Sequence, residues 1–134
     1  MPSVLLVFTS ADKDLKGGTI GWYLPEAARV YKVLKDAVDI DFASPKGPNP
    51  PVDPGSVEMF SEEGDFLDDS TVIVKLANAK KLSDVKEQDY DAIYYVGGYG
   101  PVIDLAENPE SIKLASVKKG LSGLKLIAAH EGGE

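Results

Sequence analysis

Apolar residues recur along the chain in short runs that alternate with helical patterns. Four runs predict strands, at 4–8, 38–42, 92–96 and 124–129. The first and third are almost continuously apolar, as in strands buried on both faces of a parallel sheet, whereas the second alternates like a strand with one more exposed face. This succession predicts an α/β fold, with a doubly wound parallel sheet of about four strands.

The most informative helical pattern runs over 22–37, with Pro25 tolerated in the first turn. Val30 and Val33 extend its apolar surface around one flank, and Glu26 falls between them. Burying a carboxylate there costs free energy unless it is paired or protonated. Glu26 is therefore either a proton carrier or a first-turn acid that favours the positive end of the helix dipole. The apolar stripe itself comprises Leu24, Ala27, Ala28, Tyr31 and Leu34.

Three further segments complete the predicted layout. The Pro/Gly-rich stretch 44–55 predicts a loop without regular structure that covers one end of the sheet. Short helices are predicted over 56–63 and 66–80, and a further helix over 107–119, where Asn108 and Pro109 suit the N-cap and first helical positions. The residues expected to face inward from 66–80 are Phe66, Val72, Ile73 and Leu76.

A glycine-rich stretch, "YYVGGYGPVIDL" (94–105), follows the third strand directly. Glycines 97, 98 and 100 allow a sharp turn at the end of a strand where open α/β sheets bind ligands. Consecutive N–H groups there can hold an oxyanion, or the segment is simply a tight turn without a ligand.

The stretch "LIAAHEGGE" (126–134) contains the chain's single histidine, His130. A strand that runs into one residue and then glycine is the setting of a nucleophile elbow, although Gly-x-Ser-x-Gly is not present. His130 and Glu134 have metal-ligand spacing for a helix, but the two glycines between them argue against that helix. An exposed, frayed histidine is the alternative, and no metal site is predicted.

Length and composition predict one domain over 1–134 and limit its partners. The net charge is -8, from 14 Lys+Arg and 22 Asp+Glu, which disfavours nucleic acid and anionic membrane surfaces. The chain contains no cysteine, so disulfides, thiolate metal sites and a cysteine nucleophile are excluded within it. A cytoplasmic setting without signal peptide is the expectation.

Two blocks resemble a known family. "GGTIGWYLPEAARVYKVLKDAVDIDFASPKGPNPPVDPGSVEMF" (17–60) and "DYDAIYYVGGYGPVIDLAENP" (89–109) are similar to the PfpI superfamily, the class I glutamine-amidotransferase-like group, in its glyoxalase III-like heat-shock chaperone branch. The resemblance implies a flavodoxin-like (Rossmann-like) three-layer sandwich. It also implies conversion of methylglyoxal to lactate without a cofactor, through a cysteine, a histidine and a first-helix glutamate. Glu26 matches that glutamate, and Gly97 and Gly98 match the loop that supplies oxyanion N–H groups.

The sequence departs from the family pattern where chemistry is expected. Arg29 and Tyr99 stand at positions that are usually histidine. Aligned on the elbow, His130 takes the place of the cysteine and Glu131 that of the neighbouring histidine. Family members are also longer, so the resemblance implies a domain truncated at the elbow. Either another chain supplies the remainder, or the chain forms a smaller four-strand domain or a dimer.

Two functions follow as expectations. The first is a degenerate PfpI-type domain that acts as a binding or chaperone-like stress protein, associating with itself or with a complementing chain. The alternative is a glutathione-independent glyoxalase III or D-lactate dehydratase-type enzyme that acts on methylglyoxal or another small carbonyl compound. Its site would be re-purposed around Glu26, Tyr99 and His130, or completed by another chain.

Overall fold

The computed structural model describes residues 2–13 and 15–96. The strand predicted at 124–129 and the helix predicted at 107–119 lie outside these residues. In chain order the helices and strands are β1 (Ser3–Val7), α1 (Leu24–Leu34), β2 (Asp39–Ser44), α2 (Pro54–Met59), α3 (Asp65–Asp68), α4 (Ser70–Ala77), β3 (Lys80–Lys81) and β4 (Ala92–Tyr95). Single 3-10 turns connect some of them.

The strands form one parallel sheet in the order β3-β2-β1-β4. β1 lies between β2 and β4, with Leu5 aligned to Asp41 on one side and to Ile93 on the other. Parallel neighbours require crossover connections, which the helices between them provide. The predicted α/β fold with a parallel sheet is confirmed.

The strand β3 was not predicted, and it begins where the sequence analysis placed the end of a helix over 66–80. That prediction was wrong in its bounds because Asp69 starts a new helix. Its side chain accepts hydrogen bonds from the backbone N–H groups of Thr71 and Val72, which caps α4. α4 ends at Ala77, which leaves Lys80 and Lys81 free to pair with β2.

The larger core lies between the sheet and the face of α1. Trp22 is its centre, with its ring edge-on to Phe8 at 5.0 Å and to Phe66 at 5.8 Å between centroids. The predicted apolar stripe of α1 packs into this core as expected, except that Leu34 is only partly buried. Ile73 was wrongly predicted to face inward, because it is 51% exposed on the outer side of α4. Phe66 and Val72 are buried as predicted.

α1 begins at Leu24 rather than at residue 22, because the chain before it is held extended by the proline-rich loop. The backbone N–H of Trp22 donates to the carbonyl of Pro51 at 2.8 Å, and the Trp22 carbonyl accepts from Asp53 at 2.8 Å. Gly21 lies so close to this loop that a Cβ atom would collide with the Pro51 carbonyl. The loop predicted over 44–55 therefore fixes the start of α1, and its last residues begin α2.

The opposite face of the sheet carries a smaller core and a polar network at its edge. The Tyr90 hydroxyl donates to Asp41 Oδ2 at 2.6 Å, and Lys80 Nζ donates to that hydroxyl at 3.1 Å. Burial opposes ionisation of Asp41, but this hydrogen bond and the Lys80 charge outweigh it, and the pKa of Asp41 lies below its usual value. The network ties β2, β3 and the start of β4 together. The buried apolar residues of this face are Leu5, Val7, Ala43, Leu82 and Ile93.

Candidate functional site

Glu26 lies in the first turn of α1, at the carboxyl edge of the sheet. α1 connects two parallel strands, so it runs back across the sheet and its N-terminus lies near the end of β1. Ligands of open α/β sheets bind at that edge. The Glu26 side chain is half-buried, and its backbone N–H donates to the Tyr23 carbonyl at 3.1 Å. The structure therefore puts this carboxylate at the expected place for a site.

The side-chain partner of Glu26 is Tyr94. The Tyr94 hydroxyl donates to Glu26 Oε2, with 3.3 Å between the oxygens. Tyr94 is 8% exposed and lies on β4, on the sheet face that packs against α1. Among residues 2–13 and 15–96 this is the one side-chain hydrogen bond to the Glu26 carboxylate, and no cation pairs with it.

The flank of α1 next to Glu26 is apolar but incompletely covered. Val30 is half-buried, whereas Val33 is 76% exposed. A surface depression of about 330 Å³ lies beside Tyr94, between these two valines, Arg29 and Leu34. Val33 thus extends the apolar surface of α1 on its solvent side rather than in the packed core.

Arg29, at a position where the family resemblance expects histidine, faces a different carboxylate. Its Nε donates to Glu63 Oε2 at 3.1 Å, and Lys32 Nζ donates to Glu63 Oε1 at 2.9 Å. The guanidinium also lies 5.7 Å from the ring centroid of Phe60. The hydrogen bonds from Lys32 and then Arg29 hold the pKa of Glu63 below its usual value. Arg29 thus belongs to an ion-pair cluster rather than to the Glu26 site.

Several predicted site residues lie outside the residues that the structure describes. They are Gly97, Gly98, Tyr99, His130 and Glu131. Their positions relative to Glu26 stay predictions. Of the predicted site residues, Glu26 alone is placed by the structure.

Tyr94 and Glu63 were missed as partners by the sequence analysis. Strand alternation held a usable signal for Tyr94, because it points to the opposite face from Ile93 and Tyr95 and directly precedes the glycine-rich stretch. Glu63 carried no such signal. Its partners Arg29 and Lys32 lie more than thirty residues earlier in the sequence. Only the packing of the 3-10 turn Ser61–Glu63 against α1 brings them together.

Within residues 2–13 and 15–96, no three His, Cys, Asp or Glu side chains are grouped in a way that could hold a metal ion. No helix in that part of the chain is long and apolar enough to cross a membrane.

Two solved structures are similar to most of this chain. Rapid Encystment Protein 24 kDa (REP24) of Francisella tularensis is 29% identical with a TM-score of 0.80, over 90% of this chain and 55% of that one. Glyoxalase III of Candida albicans is 28% identical with a TM-score of 0.78, over 92% of this chain and 55% of that one. The chain therefore spans about half the length of the solved structures that it matches.

A more distant likeness supports the fold alone. A third solved structure is 22% identical with a TM-score of 0.65, over 87% of this chain and 52% of the other. No protein-family model matches the sequence, and no curated protein matches it significantly. The parallel sheet with its helices agrees with the likeness to REP24 and glyoxalase III.

Proposed function

We propose, on the premise that the chain belongs to the PfpI-like superfamily, that it is a degenerate glyoxalase III-like domain that works by binding rather than by glyoxalase turnover. The observation that carries this proposal is the lack of any cysteine in its 134 residues. Attack on a carbonyl carbon by a cysteine relies on an anionic, polarisable thiolate. His130, which takes the cysteine's place in the alignment, has no thiol.

The contacts of Arg29 support the same proposal. A guanidinium stays protonated at any physiological pH, so it cannot relay a proton as a histidine does. Here it also hydrogen-bonds to Glu63, 3.1 Å away. A position that is usually histidine in the family is thus occupied by a cation that is engaged in an ion pair.

Exposed apolar side chains support binding of other polypeptides, in the manner of a chaperone-like stress protein. Val33, Ile73 and Val74 are each more than half exposed, and the last two are adjacent on α4. Exposed apolar surface is typical of protein interaction sites where neighbouring side chains contribute to it, as Ile73 and Val74 do. Self-association, as a dimer or with a complementing chain in the cytoplasm, is part of the proposal.

Suppression of client aggregation tests this function. A heat-labile client enzyme is warmed with increasing amounts of the chain, and aggregation is followed by light scattering. The chain is expected to reduce scattering, and Val33→Lys is expected to weaken the effect because it places a charge in the apolar surface. Asp36→Asn, which changes the net charge equally at an exposed position just beyond α1, is the control. Equal scattering with and without the chain would refute the binding function.

A glyoxalase III or D-lactate dehydratase-type enzyme is the second candidate. It is favoured by Glu26, which keeps the family's carboxylate at the carboxyl edge of the sheet and is hydrogen-bonded by Tyr94. The substrate would be methylglyoxal or another small carbonyl compound, and no cofactor is proposed. Tyr99 and His130, or a complementing chain, would supply the other groups. Formation of lactate that disappears in Glu26→Gln would favour this candidate over the first.

A further inference from the structure

We propose that Tyr94 is a positioning residue: its hydroxyl holds the Glu26 carboxylate in one orientation at the carboxyl edge of the sheet. From the second candidate function this inference takes only the assignment of Glu26 as the working carboxylate. Nothing in the sequence resemblance assigns a role to Tyr94. The inference depends on three features: the rigidity of Tyr94, the flexibility of Glu26 and the nature of the contact between them.

Tyr94 is held by a paired strand and by the larger core. Its backbone is in β4, aligned with Leu6 of the central strand, and its ring is almost fully buried in the larger core. A buried ring in a close-packed core has little freedom to move. The position of its hydroxyl is therefore fixed by the sheet.

Glu26 has the opposite character. It is half-buried in the first turn of a helix, and its side chain has several rotatable bonds. A donor fixed by the core restricts such a side chain to the rotamers that reach it. The distance of 3.3 Å lies beyond the usual range of an O–H···O hydrogen bond, so the contact contributes little to the stability of the fold.

The chemistry of the contact also suits a working group. Tyrosine is a neutral donor, so it orients Glu26 without cancelling its charge, whereas Arg29 and Lys32 neutralise Glu63. Within the described residues, the hydrogen bond engages Oε2 alone. Oε1 is then available to accept a proton or a hydrogen bond from a ligand.

The first test is a nuclear magnetic resonance comparison of full chains with 13C at the ζ carbon of tyrosine, recorded at one neutral pH. Because the Tyr94 hydroxyl donates to the Glu26 carboxylate, Glu26→Gln replaces that acceptor by an amide, and the Tyr94 signal is expected to shift. The signal should keep its position in Tyr95→Phe. A Tyr94 signal at the same position in the native chain and in Glu26→Gln would overturn the proposal.

The second test measures the Glu26 rotamers through side-chain coupling constants. Tyr94→Phe keeps the buried ring and removes only the hydroxyl, so the chain should fold normally. Glu26 is expected to change from one dominant rotamer to an averaged mixture in Tyr94→Phe and to stay unchanged in Tyr95→Phe. An unchanged Glu26 in Tyr94→Phe would contradict the proposal. Neither readout needs a ligand or turnover, so failure of the proposed function leaves both tests valid.

Discussion

Glu26 and Glu63 are two carboxylates that contact the same helix, α1, in opposite ways. Glu63 is 8% exposed and receives hydrogen bonds from two cations of the helix, Arg29 and Lys32. Glu26 belongs to the helix itself, is half-buried, and receives a hydrogen bond from the neutral hydroxyl of Tyr94. One carboxylate is neutralised by its surroundings and the other is only oriented.

We propose that this difference separates a structural acid from a functional one. A buried carboxylate costs free energy that partner charges and hydrogen bonds must offset, and Glu63 has both. At a helix N-terminus an acidic side chain such as Glu26 typically gains about 0.3–1 kcal/mol. The ion pairs of Glu63 account for its place better than this gain accounts for Glu26, and we therefore propose the functional role for Glu26.

The largest expected effect comes from the segment that fixes the start of α1 and so positions both carboxylates. Gly21→Ala would force a Cβ atom against the Pro51 carbonyl and is expected to lower the free energy of unfolding by about 3 kcal/mol. Urea unfolding followed by Trp22 fluorescence measures it. Gly55→Ala, whose Cβ would meet only a side-chain atom of Asp53 at 3.3 Å, is the control and should cost far less.

The next effect comes from reversing the charge of the structural carboxylate. Glu63→Lys would place three cations together and is expected to lower the free energy of unfolding by about 1–2 kcal/mol, since two of those side chains are largely exposed and screened by solvent. The neighbouring Glu62 is exposed, so Glu62→Lys should change stability little. Equal losses in both variants would show that the Glu63 ion pairs do not matter.

The pH dependence of stability distinguishes Glu63 from an ordinary surface acid. Because the pKa of Glu63 is lowered in the folded chain, its contribution is present above the usual glutamate pKa of about 4.3 and is lost as pH falls through the lower folded pKa. Glu63→Gln should therefore flatten the acid side of the stability curve, measured by unfolding at a series of pH values. Asp41, whose pKa is also lowered, should keep part of the slope. An unchanged slope in Glu63→Gln would contradict the assignment.

The smallest stability effect is expected for the functional carboxylate. Glu26→Gln keeps the shape of the side chain and breaks no ion pair in the described part of the chain, so the free energy of unfolding should change by less than about 0.5 kcal/mol. The same urea titration measures it. A loss as large as that of Glu63→Lys would make Glu26 a structural residue and remove the basis of the comparison.

The sequence predicted the parts of this picture that depend on local pattern. Apolar periodicity placed α1 and three strands, and a carboxylate on an apolar flank drew attention to Glu26. The sequence pattern could not place β3, because two lysines carry no strand signal. Their pairing with β2 depends on where α4 ends, and Asp69 and Asn78 cap that helix. The sequence pattern also missed the Glu63 cluster, because partners distant in sequence meet only through tertiary packing.

The most direct test of the account is a carbon-13 spectrum of labelled methylglyoxal incubated with a high concentration of the chain. In one spectrum it separates lactate formation from binding without turnover. The account predicts that no lactate signal grows above that of the heat-unfolded chain. Lactate that forms with the native chain and is abolished in Glu26→Gln would contradict the proposal that this domain binds without glyoxalase chemistry.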